Sequence, residues 1–295
     1  MRMNHAWIHR MLRTAAMLFC ILPPMSGIAA DPSVNDQLLR AAETGSLEQI
    51  ESLLARGGDV NAKDYVGITA LMKAARSTNL ETVKLLFDRG ADVNARNDAG
   101  DTVLMEAAKS GNLELVKFLV DKGLDVNAKN EDDSGQPGCR LTDNPGSTVL
   151  MKAADRGNIE IAKFLIDRGA DVNAENAEHK TVPRVALERQ DLEVLKLLIE
   201  KGLLGDTVLI PAARWGQVQV VKFLINRGAD VNVASEYGER ALIDAAGGTS
   251  FEVVKLLVEK GADVNAKNKK GQTALSLVHR NSPEIVQYLK AHSAK

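Results

Sequence analysis

The sequence predicts an all-α fold, a repeat solenoid of about eight helix–turn–helix units joined by hairpin-like finger loops. A phase marker, usually a threonine, recurs in steps of 33, 33, 46, 33, 26, 33 and 33 residues. A series of glycines repeats the inner steps of 33, 33, 46, 33, 26 and 33 residues. Each unit also has apolar residues on one helical face. The markers are Asp36, Thr69, Thr102, Thr148, Thr181, Thr207, Arg240 and Thr273, and the glycines are Gly57, Gly90, Gly123, Gly169, Gly202, Gly228 and Gly261.

Residues 1–30 differ in composition from the repeats and predict a secretory signal peptide. Three arginines precede the apolar run Ala15–Leu22, and two prolines end it. Small residues then lead to an expected cleavage point after Ala30. A membrane anchor is the alternative, but the run is shorter than the about 20 apolar residues that a spanning helix needs. The expected mature chain, residues 31–295, is the repeat array, and it holds no second apolar stretch that could cross a membrane.

Each unit is expected to contain the same elements in the same order. The marker threonine can cap the first helix by accepting a hydrogen bond from a free backbone N–H. An alanine pair such as Ala74-Ala75 keeps the first helix narrow, and the second helix carries a wider apolar stripe, as at Leu80, Val83 and Leu86. Gly90 and its equivalents end the second helix in a left-handed conformation. The units are expected to start near residues 36, 65, 98, 144, 177, 203, 236 and 269.

These motifs resemble the ankyrin repeat. Residues 69–75, 79–86 and 90–95 carry the resemblance, reading Thr-Ala-Leu-Met-Lys-Ala-Ala, Asn-Leu-Glu-Thr-Val-Lys-Leu-Leu and Gly-Ala-Asp-Val-Asn-Ala. The family motif has Pro after the Thr and His after the Leu, where this chain has Ala70 and Met72. The resemblance covers about residues 36–293 and implies stacked helical hairpins that bind protein partners.

Acidic triads such as Asp92-Val93-Asn94 open the connecting turns. Repeated acids could indicate calcium ligands, but each triad lacks the six or more oxygen atoms that calcium takes. Asp and Asn side chains commonly bond their own backbone in turns. The triads are therefore interpreted as turn-forming residues.

Two connections depart from the period. A long polar finger, residues 131–146, contains 13 extra residues between the third and fourth units. Between the fifth and sixth units, residues 202–205 replace the whole finger. The fifth unit also has Pro183, which a helix tolerates only in its first turn. A change in stacking is expected at this unit, separating units 1–4 from units 5–8.

The long finger contains the residues that could support catalysis or metal binding. Residues 130–135 resemble the first half of an EF-hand loop, but Leu141 stands where that loop needs a bidentate Glu. If the protein were an enzyme or bound a metal through this finger, the candidate residues would be Asp132, Asp133, Cys139 and Asp143. These residues lie on a loop that has no surrounding structure to hold them in place. The sequence has no phosphate-binding Gly-Lys-Ser/Thr loop, His-Glu-x-x-His or Gly-x-Ser-x-Gly motif. We therefore predict no enzymatic activity, cofactor or metal.

Charge and cysteine content limit the partners. The formal net charge is −2; because residues 1–30 contain three Arg and no acid, the remainder carries −5. An acidic array is unsuited to nucleic acid, which requires a basic face. Cys139 would be the single cysteine after cleavage, so no internal disulfide is expected. The chain is expected to be a monomer, although Cys139 could form a disulfide with a second chain.

In ankyrin proteins, partners meet the finger tips and the exposed side of the first helices. The resemblance therefore implies a partner-binding face at Tyr65, Val66, Ile68, Arg76, Asp98, Asp101, Lys109, Arg156, Arg214, Trp215 and Tyr237. Trp215 beside Arg214 is either a binding hot spot or a cover for the irregular junction between the fifth and sixth units.

The sequence thus predicts a non-enzymatic protein–protein interaction scaffold, exported to the bacterial periplasm, that binds a protein partner on its concave face. The alternative is a secreted effector or toxin-associated protein that acts on another cell.

Overall fold

A computed structural model describes residues 33–130, 144–202, 206–248, 250–278 and 282–292. Within these residues the chain forms sixteen helices, which alternate as the first and second helix of eight pairs. The first helices are α1 (Val34–Thr44), α3 (Ala70–Arg76), α5 (Val103–Ser110), α7 (Val149–Asp155), α9 (Val182–Glu188), α11 (Asp206–Arg214), α13 (Ala241–Gly248) and α15 (Ala274–Leu277). The second helices are α2 (Leu47–Ala55), α4 (Leu80–Asp88), α6 (Leu113–Asp121), α8 (Ile159–Asp167), α10 (Leu192–Glu200), α12 (Val218–Asn226), α14 (Phe251–Glu259) and α16 (Pro283–Ala291). The predicted all-α solenoid is confirmed.

The marker threonines cap first helices as the sequence indicated. The Oγ1 atom of Thr69 accepts a hydrogen bond from the backbone N–H of Met72 at 3.3 Å, and Thr102, Thr148 and Thr273 do the same. Two expected caps are wrong. Thr181 makes no side-chain capping bond, and α11 begins at Asp206, so Thr207 lies inside the helix.

The ends of the second helices show why a glycine recurs there. Gly90 has a φ of +81°, a conformation in which a side chain is strained. Its N–H donates to the carbonyl oxygen of Phe87, and the N–H of Ala91 donates to that of Leu86, each at 3.0 Å. These two bonds satisfy carbonyl groups that the helix end would otherwise leave without partners.

The core is one continuous cluster that runs through all eight pairs. The alanine pairs are fully buried, as at Ala74, Ala75, Ala107 and Ala108. On the second helices, residues such as Val83 and Leu86 are also fully buried. Because each pair leaves an apolar face to its neighbour, stacking supplies the burial that no single pair could provide.

The acidic triads form turns and also join neighbouring units. Asp92 accepts a hydrogen bond from the backbone N–H of Asn94 at 2.9 Å, which confirms the turn interpretation. The asparagines have a second role that the sequence did not reveal. Asn61 accepts from the backbone N–H of Asp92 in the next unit at 2.7 Å, and Asn127 and Asn232 make equivalent bonds to Asp171 and Asp263.

Most of the long finger, residues 131–143, lies outside the described residues. Its base is closed like the other fingers. The side chain of Asn130 accepts a hydrogen bond from the backbone N–H of Ser147 at 2.6 Å, and the backbone N–H of Asn130 donates to the carbonyl of Ser147 at 2.9 Å. The insertion therefore leaves the packing of α5 against α7 in place.

The change in stacking falls one unit later than expected. Pro183 lies in the first turn of α9, where no helical N–H is lost, and α9 still packs against α7. Among successive first helices, α9 and α11 pack least extensively, whereas α11 and α13 pack most extensively. The missing finger between the fifth and sixth units therefore has a larger effect on stacking than the proline.

Two adjacent glycines, Gly247 and Gly248, end one of the first helices. Both residues belong to α13. A Cβ on Gly248 would lie 2.2 Å from the carbonyl oxygen of Arg214, so the glycine permits the close approach of α13 to the end of α11. In the part of the chain that the structure describes, no helix combines the length and apolar character needed to cross a membrane.

Candidate interaction groove

The first helices of the second to fifth pairs and their finger turns enclose an open groove of about 550 Å³, here called the charged groove. Helices α3, α5 and α7 contribute Arg76, Lys109 and Lys152 to it. The finger turn before α5 contributes Asp98 and Asp101. Because the repeats place equivalent positions side by side, charges that are far apart in sequence meet in this groove.

The floor of the groove is a cluster of buried, paired charges. Asp101 and Glu106 are each 3% exposed, and Lys109 forms ion pairs with both. Lys152, from the next first helix, reaches Asp101 at 3.0 Å. Since a buried carboxylate without a partner would be strongly destabilising, these lysines are needed to hold the floor together.

Local structure explains the positions of these side chains. Asn97 accepts hydrogen bonds from the backbone N–H groups of Ala99 and Asp101, at 3.0 and 2.9 Å, and this turn directs Asp101 inward. Glu106 and Lys109 are three residues apart on α5 and therefore lie on one face. The side-chain amide of Asn97 also donates to Glu106 at 3.3 Å.

The rim of the groove carries three arginines that differ in how fully they are paired. Arg189 donates to Asp155 through two nitrogens, at 2.6 and 2.8 Å. The Nε atom of Arg76 lies 3.4 Å from Glu106, and that of Arg156 lies 4.0 Å from Asp155. Both of these ion pairs are longer than that of Arg189, and the side chains of Arg76 and Arg156 are 53% and 60% exposed.

Seven of the eleven residues assigned to the partner-binding face line this groove together. They are Val66, Ile68, Arg76, Asp98, Asp101, Lys109 and Arg156. Ile68 is only 7% exposed, so it contributes to the floor, as Asp101 does. The remaining four residues lie elsewhere.

Arg214 connects α11 to the sixth–seventh junction. It donates to Asp244 at 2.7 and 3.0 Å and to Glu239 at 2.8 Å. The side chain of Asp244 is 12% exposed, and burial raises its pKa above the ordinary value, an effect that Arg214 opposes and Glu239 reinforces. Arg214 is therefore engaged within the protein.

Trp215 contacts the preceding unit and is also partly accessible. The guanidinium of Arg184, in α9, lies 5.4 Å from the centre of its ring, within the range of a cation–π contact. The residue is 39% exposed. Trp215 thus covers part of the sparsely packed junction between α9 and α11 and leaves the rest of its ring at the surface.

Tyr65 and Tyr237 lie on finger turns and are 82% and 69% exposed. Neither tyrosine lines the charged groove. His179 is also on a finger turn, with its Nδ1 atom 3.2 Å from Glu175.

Among the described residues, no group of three or more His, Cys, Asp and Glu side chains could hold a metal ion. The candidates Asp132, Asp133, Cys139 and Asp143 fall outside the described residues, as does Leu141.

Sequence reasoning missed Glu106, Lys152 and Arg189 as groove residues. A signal for two of them was present. Glu106 and Lys152 occupy the same position in their units, directly before an alanine pair in an otherwise apolar helix. Each pairs with an opposite charge of the preceding unit, Glu106 with Arg76 and Lys152 with Asp101, so a charge at this position indicates a partner in a neighbouring unit.

The fold and groove define a protein of stacked helical hairpins with a polar groove along its first helices. Sequence models of ankyrin repeats match residues 38–130 and 186–268 as three-copy repeats, and residues 104–166 and 150–199 as many-copy repeats. The chain belongs to the ankyrin-repeat family, which confirms the resemblance, and ankyrin repeats form protein–protein interaction scaffolds.

Two ankyrin repeat proteins of Rickettsia felis are similar to parts of this chain. One is 38% identical over 55 residues, which are 19% of this chain and 79% of that protein. The other is 45% identical over 38 residues, which are 13% of this chain and 60% of that protein.

Proposed function

We propose that the chain is an exported, non-enzymatic scaffold that binds a protein partner in the charged groove, on the concave face of the array. The observation that carries the proposal is the groove itself. It gathers seven predicted partner-binding residues, and two of them, Arg76 and Arg156, are exposed arginines whose ion pairs, at 3.4 and 4.0 Å, are long. A polar surface of this kind recognises a partner by shape and charge.

Export is supported by the composition of residues 1–30. The basic start, short apolar run and small residues before Asp31 are the order of a cleaved signal peptide. We place the protein in the periplasm. Comparing an osmotic-shock fraction with the culture medium tests this, because recovery mainly from the medium would favour a secreted effector instead.

Binding is tested by using the full chain as bait in an envelope extract. The expected result is reproducible capture of a protein that is lost when Arg76→Glu is combined with Arg156→Glu. The matched control combines Arg168→Glu with Arg227→Glu, which changes the charge equally at exposed ion pairs outside the groove. Failure to capture a protein, or equal capture by the groove variant, would overturn the proposal.

A further inference from the structure

The floor of the charged groove needs no ligand to be neutral. Its carboxylates, Asp101 and Glu106, are paired with Lys109 and Lys152. These contacts are made between α5, α7 and the turn before α5, so they are part of the stacking of the repeats. The floor gives the groove a fixed polar surface, and recognition is left to the rim.

The rim has more cationic groups than carboxylates to pair with them. Asp155 is bound through two bonds by Arg189 and lies 4.0 Å from Arg156. Glu106 is shared by Lys109, Asn97 and Arg76. Five cationic and four anionic side chains line the groove, a net charge of +1, whereas the whole chain has a formal charge of −2.

A guanidinium presents its donors in a planar fork that matches the two oxygens of a carboxylate. Such bidentate, charge-assisted pairs are stronger than ordinary hydrogen bonds. Arg76 and Arg156 both lie on the rim of the charged groove, so the groove has two guanidinium groups of this kind. The acids Asp98 and Asp155 on the same groove disfavour a dense polyanion such as nucleic acid, whose binding requires a continuously basic surface.

We propose that the charged groove binds an acidic segment of the partner protein, with Asp or Glu carboxylates seated on Arg76 and Arg156. This inference rests on the proposed scaffold function and specifies the chemistry of its partner.

The test measures the fluorescence anisotropy of a short, labelled, Glu-rich peptide titrated with the full chain. A peptide of the same length with Gln in place of every Glu should bind at least about tenfold more weakly, since hydrogen bonds to charged groups exceed neutral ones by this order. Combining Arg76→Gln with Arg156→Gln should weaken Glu-peptide binding by about tenfold or more. The pair Arg76→Lys and Arg156→Lys, which keeps the charge and loses the fork, should lie between.

The control combines Arg168→Gln with Arg227→Gln and should bind the Glu peptide like the unaltered chain. Circular dichroism establishes that each variant is folded. The inference is overturned if the unaltered chain does not bind the Glu peptide, if groove and control variants lose binding equally, or if an oligothymidylate of equal charge competes as well as the peptide. If the chain captures a groove-dependent partner yet ignores the Glu peptide, the scaffold function stands and the acidic-segment inference fails.

Discussion

A Cβ atom on Gly248 would lie 2.2 Å from the carbonyl oxygen of Arg214, whereas one on the adjacent Gly247 would meet nothing closer than 4.0 Å. Both glycines are in α13. Gly248→Ala should destabilise the protein by about 1–3 kcal/mol, because α11 and α13 must move apart. Gly247→Ala should stabilise it by about 0.5–1 kcal/mol, the usual gain on replacing a helical glycine. Urea unfolding followed by circular dichroism measures both, and equal effects would contradict the close approach.

Thr78, His179 and Gln190 adopt a left-handed conformation where other units have glycine, and Thr78 and Gln190 share one position, between the two helices of a pair. Thr78 and Gln190 have φ values of 60° and 58°, and the equivalent Gly111 has 85°. Replacement by glycine should relieve about 1–3 kcal/mol of backbone strain in the folded state. This gain exceeds the about 0.4–1 kcal/mol by which the conformational freedom of glycine stabilises the unfolded chain. Thr78→Gly and Gln190→Gly should each raise the thermal midpoint.

The converse change provides the control for this prediction. Gly90 has a φ of +81° and open space around its Cβ position. Gly90→Ala should therefore lower the free energy of unfolding by about 1–2 kcal/mol through backbone strain alone. Lower thermal midpoints for Thr78→Gly and Gln190→Gly would show that their side chains make compensating contacts.

The buried charges of the groove floor should be more sensitive to mutation than exposed pairs. Asp101→Ala leaves Lys109 and Lys152 without their shared carboxylate, and it should cost on the order of 3 kcal/mol. Glu114→Ala removes an exposed pair with Lys117 and should change stability by less than about 1 kcal/mol. Chemical denaturation compares the two, and a similar loss for both would show that the floor is not stabilised by pairing.

The triad asparagines should contribute to stability according to whether their side chains bond the next unit. Asn127 accepts from the N–H of Asp171 and donates to the carbonyl of Gly169, at 2.9 and 3.1 Å. Asn127→Ala should cost about 1 kcal/mol per lost bond. The side chain of Asn173, at the same place in its unit, bonds no described residue, so Asn173→Ala should be nearly neutral. Thermal melts of the two variants measure the difference, which should vanish if these bonds contribute nothing.

Asp244 should give the array a specific pH response. Burial raises its pKa above 3.8 in the folded protein, so the folded state binds a proton more tightly than the unfolded state. Stability from this group is therefore present below 3.8 and is lost as the pH rises through the folded pKa. The side chain introduced by Asp244→Asn does not titrate. The stability of this variant relative to the unaltered chain should therefore increase as the pH rises from 3.8 through the folded pKa of Asp244. Urea unfolding across the acid range tests this, and a pH-independent difference between the two proteins would contradict it.

The position of the weak junction shows why stacking could not be predicted in full. Pro183 and the missing finger are both visible in the sequence, but the sparsest packing of first helices falls at the missing finger. The place of Pro183 in the first turn of α9 costs no hydrogen bond. The missing finger alters how α11 meets α9, and this depends on distances between units that no single unit encodes.

The period, the capping threonines and the left-handed glycines are local features, so the sequence by itself determined the fold. Seven of the residues predicted from it line one groove, because equivalent positions of a stacked repeat must lie side by side. Only the tertiary structure decided that Asp101 and Glu106 are buried with Lys109 and Lys152, that Arg214 is engaged by Asp244, and that Gly248 lies against α11. The physical reason is that ion pairs and close contacts between units depend on how the helices stack, whereas caps and turns depend on neighbours in the chain.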